Sequence, residues 1–249
     1  PQQAMHQAER LYLNGWLTYP RTETNTYPQN FDLRGTVAAQ QNHRVWGAYA
    51  AELLSRGLNK AREGHDAGDH PPITPVRAGT EESIGEGYRL YEMVTRHFLA
   101  SVSPDCKFMR TKVWFSINEE LFTLSGRKVI DPGFTRVMHS GEMDDVYVPD
   151  FQVNESVPLK STRIGNHKTR PPPYLSEADL LGLMEKHGIG TDASMAQHIE
   201  NICTRKYVDL SEGRRLIPTK LGIGLVHGYQ LVDNELVIPM VRANIESCC

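Results

Sequence analysis

No apolar run in this 249-residue sequence approaches membrane-spanning length, and no charged-then-apolar start marks a secretory leader. With an ordinary hydrophobic fraction of 39%, those absences make a soluble intracellular protein the expectation. Cysteine is scarce. Cys106, Cys203, Cys248 and Cys249 have neither the density of a disulfide framework nor the paired spacing of a zinc site, which predicts reduced thiols in a reducing compartment. An excess of positive charge is missing too: 27 Lys and Arg stand against 30 Asp and Glu, a net charge of −3, so any polyanion must be held by local patches. There is no internal repeat and no low-complexity tract. The sequence opens on Pro1 rather than Met, which suggests a fragment. Its length permits one large domain or two or three small ones.

What the sequence does have is Tyr19, Pro20 and Arg21 within the run from Gly15 to Thr24. On an extended segment, residues i and i+2 share a face, so Tyr19 and Arg21 are able to meet one ligand. Pro20 fixes its own φ and biases Tyr19 toward extended geometry, and the guanidinium fork matches phosphate oxygens. That is the minimum kit for a tyrosine attacking a phosphodiester; the plain alternative is a Tyr-Pro turn beside a surface arginine.

Four further stretches carry chemistry. His65, Asp66, Asp69 and His70 sit in a loop closed by Pro71 and Pro72. They read as turn-capping loop structure, as a phosphate contact, or as a metal site for phosphoester hydrolysis. Gly188, Ile189 and Gly190, followed by Thr191 to Ser194, form either a helix stop or a phosphate seat, since glycines admit close approach and a following helix offers free amides. A basic run from Lys160 to Arg170, including Lys168, contains no acid. A second patch holds Arg205, Lys206, Arg214, Arg215 and Lys220, diluted by Asp209 and Glu212; each patch is a solvated face or a phosphate track.

The periodicity predicts a helix through Met5 and Leu11 stopped at Gly15, and two helices from Leu33 to Gly57 broken near Asn42. A Gly- and Pro-rich loop over 56–80 and a helix over 87–101 follow. Strands are expected at Lys112–Ile117, Leu121–Leu124 and within 156–164. A capping box at Ser176–Asp179 opens a helix to His187, a second helix runs from about Asp192 to Thr204, and a hairpin around Ser211–Gly213 precedes a helix over 219–231. The result is an α+β, multidomain chain: a helical domain at 1–103, a β-rich segment at 104–170, and a helical segment with a β-wing at 171–249.

The Tyr19 run resembles the active-site segment of type IA DNA topoisomerases, in which an arginine follows the tyrosine by two. The stretch from His65 to Pro75 is similar to that family's histidine-containing loop, and Gly188–Ser194 to its Gly-Ile-Gly DNA-contact motif, in the same order. The wording is most like the topoisomerase III group, its eukaryotic beta branch. The resemblance implies a segment of the family's toroid, comprising tyrosine domain, gate-hinge segment and winged-helix-like strand-binding segment. It gives Tyr19 as nucleophile, Arg21 as phosphate anchor and His70 as phosphate contact, with Thr18, Lys168, Arg170, Gly188, Gly190, Thr191 and Ser194 along the bound strand. Thr191 departs from the arginine or lysine of bacterial topoisomerase I relatives.

The implied reaction is single-strand cleavage through a 5′-phosphotyrosine, strand passage and ATP-independent religation, with magnesium held by a Toprim domain that this sequence lacks. The resemblance also brings in single-stranded DNA, RNA as a second substrate, a Tudor-domain partner, no membrane, and residence in the nucleus and also the cytoplasm. It further implies that 104–170 and 171–249 are half-domains with apolar surface left uncovered, and that the chain alone binds strands weakly and fails to cleave. Two other readings stay open: a non-catalytic single-strand-binding module, and a metal-dependent phosphohydrolase built on His65, Asp66, Asp69 and His70.

Overall fold

The computed structural model describes residues 1–138, 145–191 and 194–248. Helix α1, Gln2–Leu13, buries Ala8 and Leu11 and stops where expected, with Gly15 at φ +69° turning the chain so that the Trp16 amide reaches back to the Leu11 carbonyl at 2.9 Å. Helix α2, Leu33–Ala38, opens on Asp32, whose carboxylate accepts from the Gly35 amide at 2.8 Å. Helix α3, Gly47–Arg56, ends at Gly57 with φ +92°. The predicted break near Asn42 lies between them. Helix α4, Glu81–Ile84, opened by a Thr80–Ser83 capping box, runs through a 3-10 turn at Gly85–Gly87 into α5, Tyr88–Ser101. A four-residue helix shows no periodicity, which is why α4 escapes the sequence reading.

The core of this helical layer joins Leu11, Leu17, Val37, Trp46, Leu53, Tyr91, Phe98 and Leu99, with Val102 and Val137 beyond α5. Its polar centre is Gln40. The Gln40 Oε1 accepts from the Trp46 indole at 3.1 Å and from the Tyr91 hydroxyl at 3.2 Å, while the His43 ring stacks on Trp46 at 3.5 Å. The single Tyr91 O–H is shared between Gln40 and the Arg77 carbonyl, the latter nearer at 2.6 Å, and its oxygen accepts from the Gly79 amide at 3.1 Å, so the core grips the end of the histidine-bearing loop.

Strands β1, Lys107–Ile117, and β2, Glu120–Asp131, pair antiparallel from Lys107 opposite Asp131 to Ile117 opposite Glu120, longer than their apolar cores suggested. The strand expected within 156–164 does not form. Pro158 has no amide to give a ladder, and the segment instead borders an open groove of about 1100 Å³ beside the hairpin, lined by Trp114, Phe122, Phe151 and Val157.

Helix α6, Glu177–Lys186, carries the predicted capping box: Ser176 accepts from the Asp179 amide at 3.1 Å, and Asp179 accepts from the Ser176 amide at 2.8 Å. Helix α7 spans Met195–Thr204; Asp192 and Ala193, where its start was expected, lie outside the described residues. Strands β3, Val208–Leu210, and β4, Leu216–Pro218, make the hairpin, and α8, Lys220–Val232, follows with Thr219 as cap. A 3-10 turn at Asn234–Val237 and α9, Pro239–Ser247, complete the order; α9 was not foreseen, although Pro239 in its first turn marks the start. Cys106, Cys203 and Cys248 are free, and Cys249 lies outside the described residues.

The uncovered apolar surface is there. Trp114, Leu121 and Ile164 in the middle segment and Leu231 and Val232 near the end are largely exposed. No helix among the described residues is long and apolar enough to cross a membrane.

Candidate active site

The chain leaving α1 runs antiparallel to the loop that returns toward α4. Val76 donates to the Trp16 carbonyl at 2.9 Å and Thr18 to the Thr74 carbonyl at 3.0 Å, and Asn25 donates to the His65 carbonyl at 3.0 Å. Between these points a regular ladder is impossible, because Pro20, Pro71, Pro72 and Pro75 have no amide hydrogen. Short polar side chains fill in. Thr18 Oγ1 accepts from the Thr74 amide at 2.8 Å, and Thr24 Oγ1 accepts from the Ala67 amide at 3.1 Å. Asp69 ties the middle: it accepts from Thr22 Oγ1 at 3.0 Å, Thr24 Oγ1 at 2.6 Å and the Glu23 amide at 2.9 Å. Thr18, expected on the bound strand, has its hydroxyl engaged in holding this ribbon.

The ribbon brings Tyr19 and His70 together, ring centroids 4.6 Å apart, although they stand 51 positions apart in sequence. Tyr12 of α1 meets Tyr19 edge-on at 5.2 Å. Arg21 is close to both the phenol and α1: its Nη2 donates to Glu9 Oε1 in an ion pair whose side chains are 38% and 34% exposed. With Glu9 hydrogen-bonding and attracting it, the guanidinium is held charged above its ordinary range. Tyr19 itself is half-buried and His70 exposed. A phenol, an ion-paired guanidinium and an imidazole thus lie along one partly exposed ribbon. Glu9 and Tyr12 were missed from the sequence; their only signal is the i, i+3 spacing that puts them on one face of α1.

Asp69 is not a metal ligand in waiting. Its oxygens are taken by hydroxyls and an amide, and these donors hold its carboxyl well below the usual aspartate range, the Thr24 hydroxyl most of all. The His65 amide is spent on Asn25 Oδ1 at 2.5 Å. Among the described residues no group of three or more His, Cys, Asp or Glu side chains is placed to hold an ion, so the cluster-based phosphohydrolase loses its footing. A carboxylate depressed in this way gives its full stabilisation above its unfolded value near 3.8 and loses it only as pH falls toward the folded value. The Glu23 amide should therefore stay protected from hydrogen exchange across pH 5–7. Asp69→Ala should raise its exchange rate about tenfold, the factor that one typical hydrogen bond represents.

At the second motif Gly188 and Gly190 sit at φ +63° and +81°. Ser194 Oγ accepts from the Thr191 amide at 2.8 Å, and the Gly190 amide donates to the Glu246 carboxylate of α9. A Cβ on Gly190 would stand 2.8 Å from Met195 Cγ. Gly190→Ala should cost about 1–2 kcal/mol, read as an earlier urea midpoint, because left-handed φ and a blocked Cβ coincide. Lys168 and Arg170 are exposed in an irregular segment, and among the described residues no hydrogen bond or ion pair links them to Tyr19. In the second basic patch Arg214 pairs with the buried Glu177 and Arg215 donates to the Tyr174 carbonyl at 2.5 Å, so both serve structure.

The family model described as DNA topoisomerase matches residues 1–248. The sequence is 52% identical over 249 residues to DNA topoisomerase 3-beta-1 of Homo sapiens and 49% identical over 247 residues to DNA topoisomerase 3-beta of Arabidopsis thaliana. In each case 99% of this chain is covered, and the chain spans 29% of the relative's length. Among solved structures, full-length topoisomerase I from Thermotoga maritima superposes with a TM-score of 0.73 at 20% identity, over 98% of this chain and 41% of that one.

Proposed function

Because the chain belongs to the type IA DNA topoisomerase family and is similar to its topoisomerase 3-beta members, we propose that Tyr19 cleaves and reseals single-stranded DNA within a strand-passing enzyme. The observation that carries the reading is the meeting of Tyr19, Arg21 and His70 on one proline-interrupted ribbon. Phenols titrate near 10, so attack at neutral pH needs nearby positive charge. Arg21 supplies it, orienting the phosphate and stabilising charge that develops on its oxygens. His70, beside the ring, donates to the same phosphate. The Tyr19 Oη–P bond forms as the P–O3′ bond breaks, and the phenol proton balances the departing 3′ oxygen. One phosphoester replaces another, so the reverse reaction reseals the strand without ATP once a second strand has passed.

Gly188, Gly190, Thr191 and Ser194, with Lys168 and Arg170, would track the strand away from the cut. Among the described residues no group of three or more His, Cys, Asp or Glu is placed to hold magnesium, whose ligands in this reading lie outside this chain. RNA as a second substrate, a Tudor-domain partner and residence in nucleus and cytoplasm are carried from the resemblance to the same proposal. The test incubates the full-length protein bearing this sequence with a labelled single-stranded oligonucleotide, traps the adduct with alkali and maps it by mass spectrometry. The modification is expected on Tyr19, with phosphate at the 5′ end of the released strand; a different adducted residue overturns the reading.

A further inference from the structure

We propose that Glu9 is a displaceable counter-ion that occupies Arg21 when no strand is bound and yields it to the phosphate. This positioning role rests on the reading of Arg21 as phosphate anchor. The ion pair engages Nη2 through a single carboxylate oxygen, whereas a guanidinium presents five donors in a fork suited to two oxygens of one anion. Both side chains are about a third exposed, and pairs so placed are worth at most about a fivefold factor in an equilibrium constant. A phosphodiester able to take two donors therefore outcompetes Glu9 once the rest of the strand is held.

The geometry also assigns Glu9 a resting task. Glu9 and Tyr12 project from the same face of α1, one to Arg21 and one to the Tyr19 ring, so the helix that fixes the nucleophile also fixes the cation two residues beyond it. Without the carboxylate, the long arginine side chain would lose its orientation and be free to associate with any small anion. With it, an isolated phosphate must displace an existing partner, and a strand with contacts elsewhere does so far more readily. The seat at Gly190 repeats the pattern, its amide donating to the Glu246 carboxylate.

The experiment is a double-mutant cycle in full-length protein carrying Tyr19→Phe, so that binding is measured without cleavage, using fluorescence anisotropy of a labelled oligothymidine. Glu9→Gln, close in shape and helix preference, should tighten binding about three- to fivefold. Arg21→Gln should weaken binding, and in that background Glu9→Gln should change nothing. Glu9→Asp, which keeps the charge, should stay within about twofold of the parent, separating the charge from a packing role. Weaker binding with Glu9→Gln, or an equal gain with Arg21 removed, overturns the inference while leaving the proposed function in place. Binding indifferent to Arg21→Gln overturns both.

Discussion

Full-length protein carrying Tyr19→Phe should form no covalent strand adduct, a loss of more than about a thousandfold, while its affinity for single strands changes by less than about twofold. The substitution is narrow. Phenylalanine keeps the edge-on contact with Tyr12 at 5.2 Å and the tilted packing on His70 at 4.6 Å, so only the hydroxyl is removed. That hydroxyl has no protein hydrogen bond among the described residues, so its removal leaves no partner unsatisfied. Denaturing gels of trapped complexes read the adduct and anisotropy reads binding. A nucleic-acid-binding module without catalysis would show no adduct in either protein, and persistence of the adduct in the variant would rule Tyr19 out as nucleophile.

The largest stability effect should come from Trp46→Ala, at about 3–5 kcal/mol, measured as the urea midpoint followed by circular dichroism. Trp46 is buried among Val37, Ala50, Leu53, Tyr91 and Leu99, and its removal empties the centre of the helical layer. It also takes away a donor from Gln40 Oε1 and leaves the His43 ring without the face on which it stacks. The damage extends to the site, because Gln40 orients Tyr91, and Tyr91 holds the Arg77 carbonyl and Gly79 amide at the end of the ribbon. Trp46→Phe should cost less, since a phenyl ring refills most of the space and keeps a face for the His43 ring. Hydrogen exchange should then show the 74–79 segment loosening with Trp46→Ala and holding with Trp46→Phe.

Features that follow from a few neighbouring residues were legible in the sequence. The stop at Gly15, the capping box at Ser176 and the hairpin at Ser211–Gly213 are local agreements between side chain and backbone, and all three are present. The adjacency of Tyr19 and Arg21 was legible for the same reason. What escaped depends on partners far along the chain. Asp69 reads as a loop acid or a metal ligand until Thr22, Thr24 and the Glu23 amide are seen to consume it. Glu9 is one charged residue on a helix surface until Arg21 meets it. The strand expected within 156–164 had suitable residues, but β content needs an edge to pair with, and Pro158 denies one of its donors. Of the predicted site, Tyr19, Arg21 and His70 converge, Thr18 supports the ribbon, and Lys168 and Arg170 remain apart.

The hairpin of β1 and β2 has a practical consequence. A ribbon of two strands has no interior strand, and along β1 the outward edge offers backbone donors and acceptors beside Trp114 and Phe108, both exposed. Concentrated solutions of this chain should therefore self-associate through strand pairing and turn turbid on warming before the helical layer melts. Lysines on that edge, rather than a tighter core, are the remedy for handling the protein.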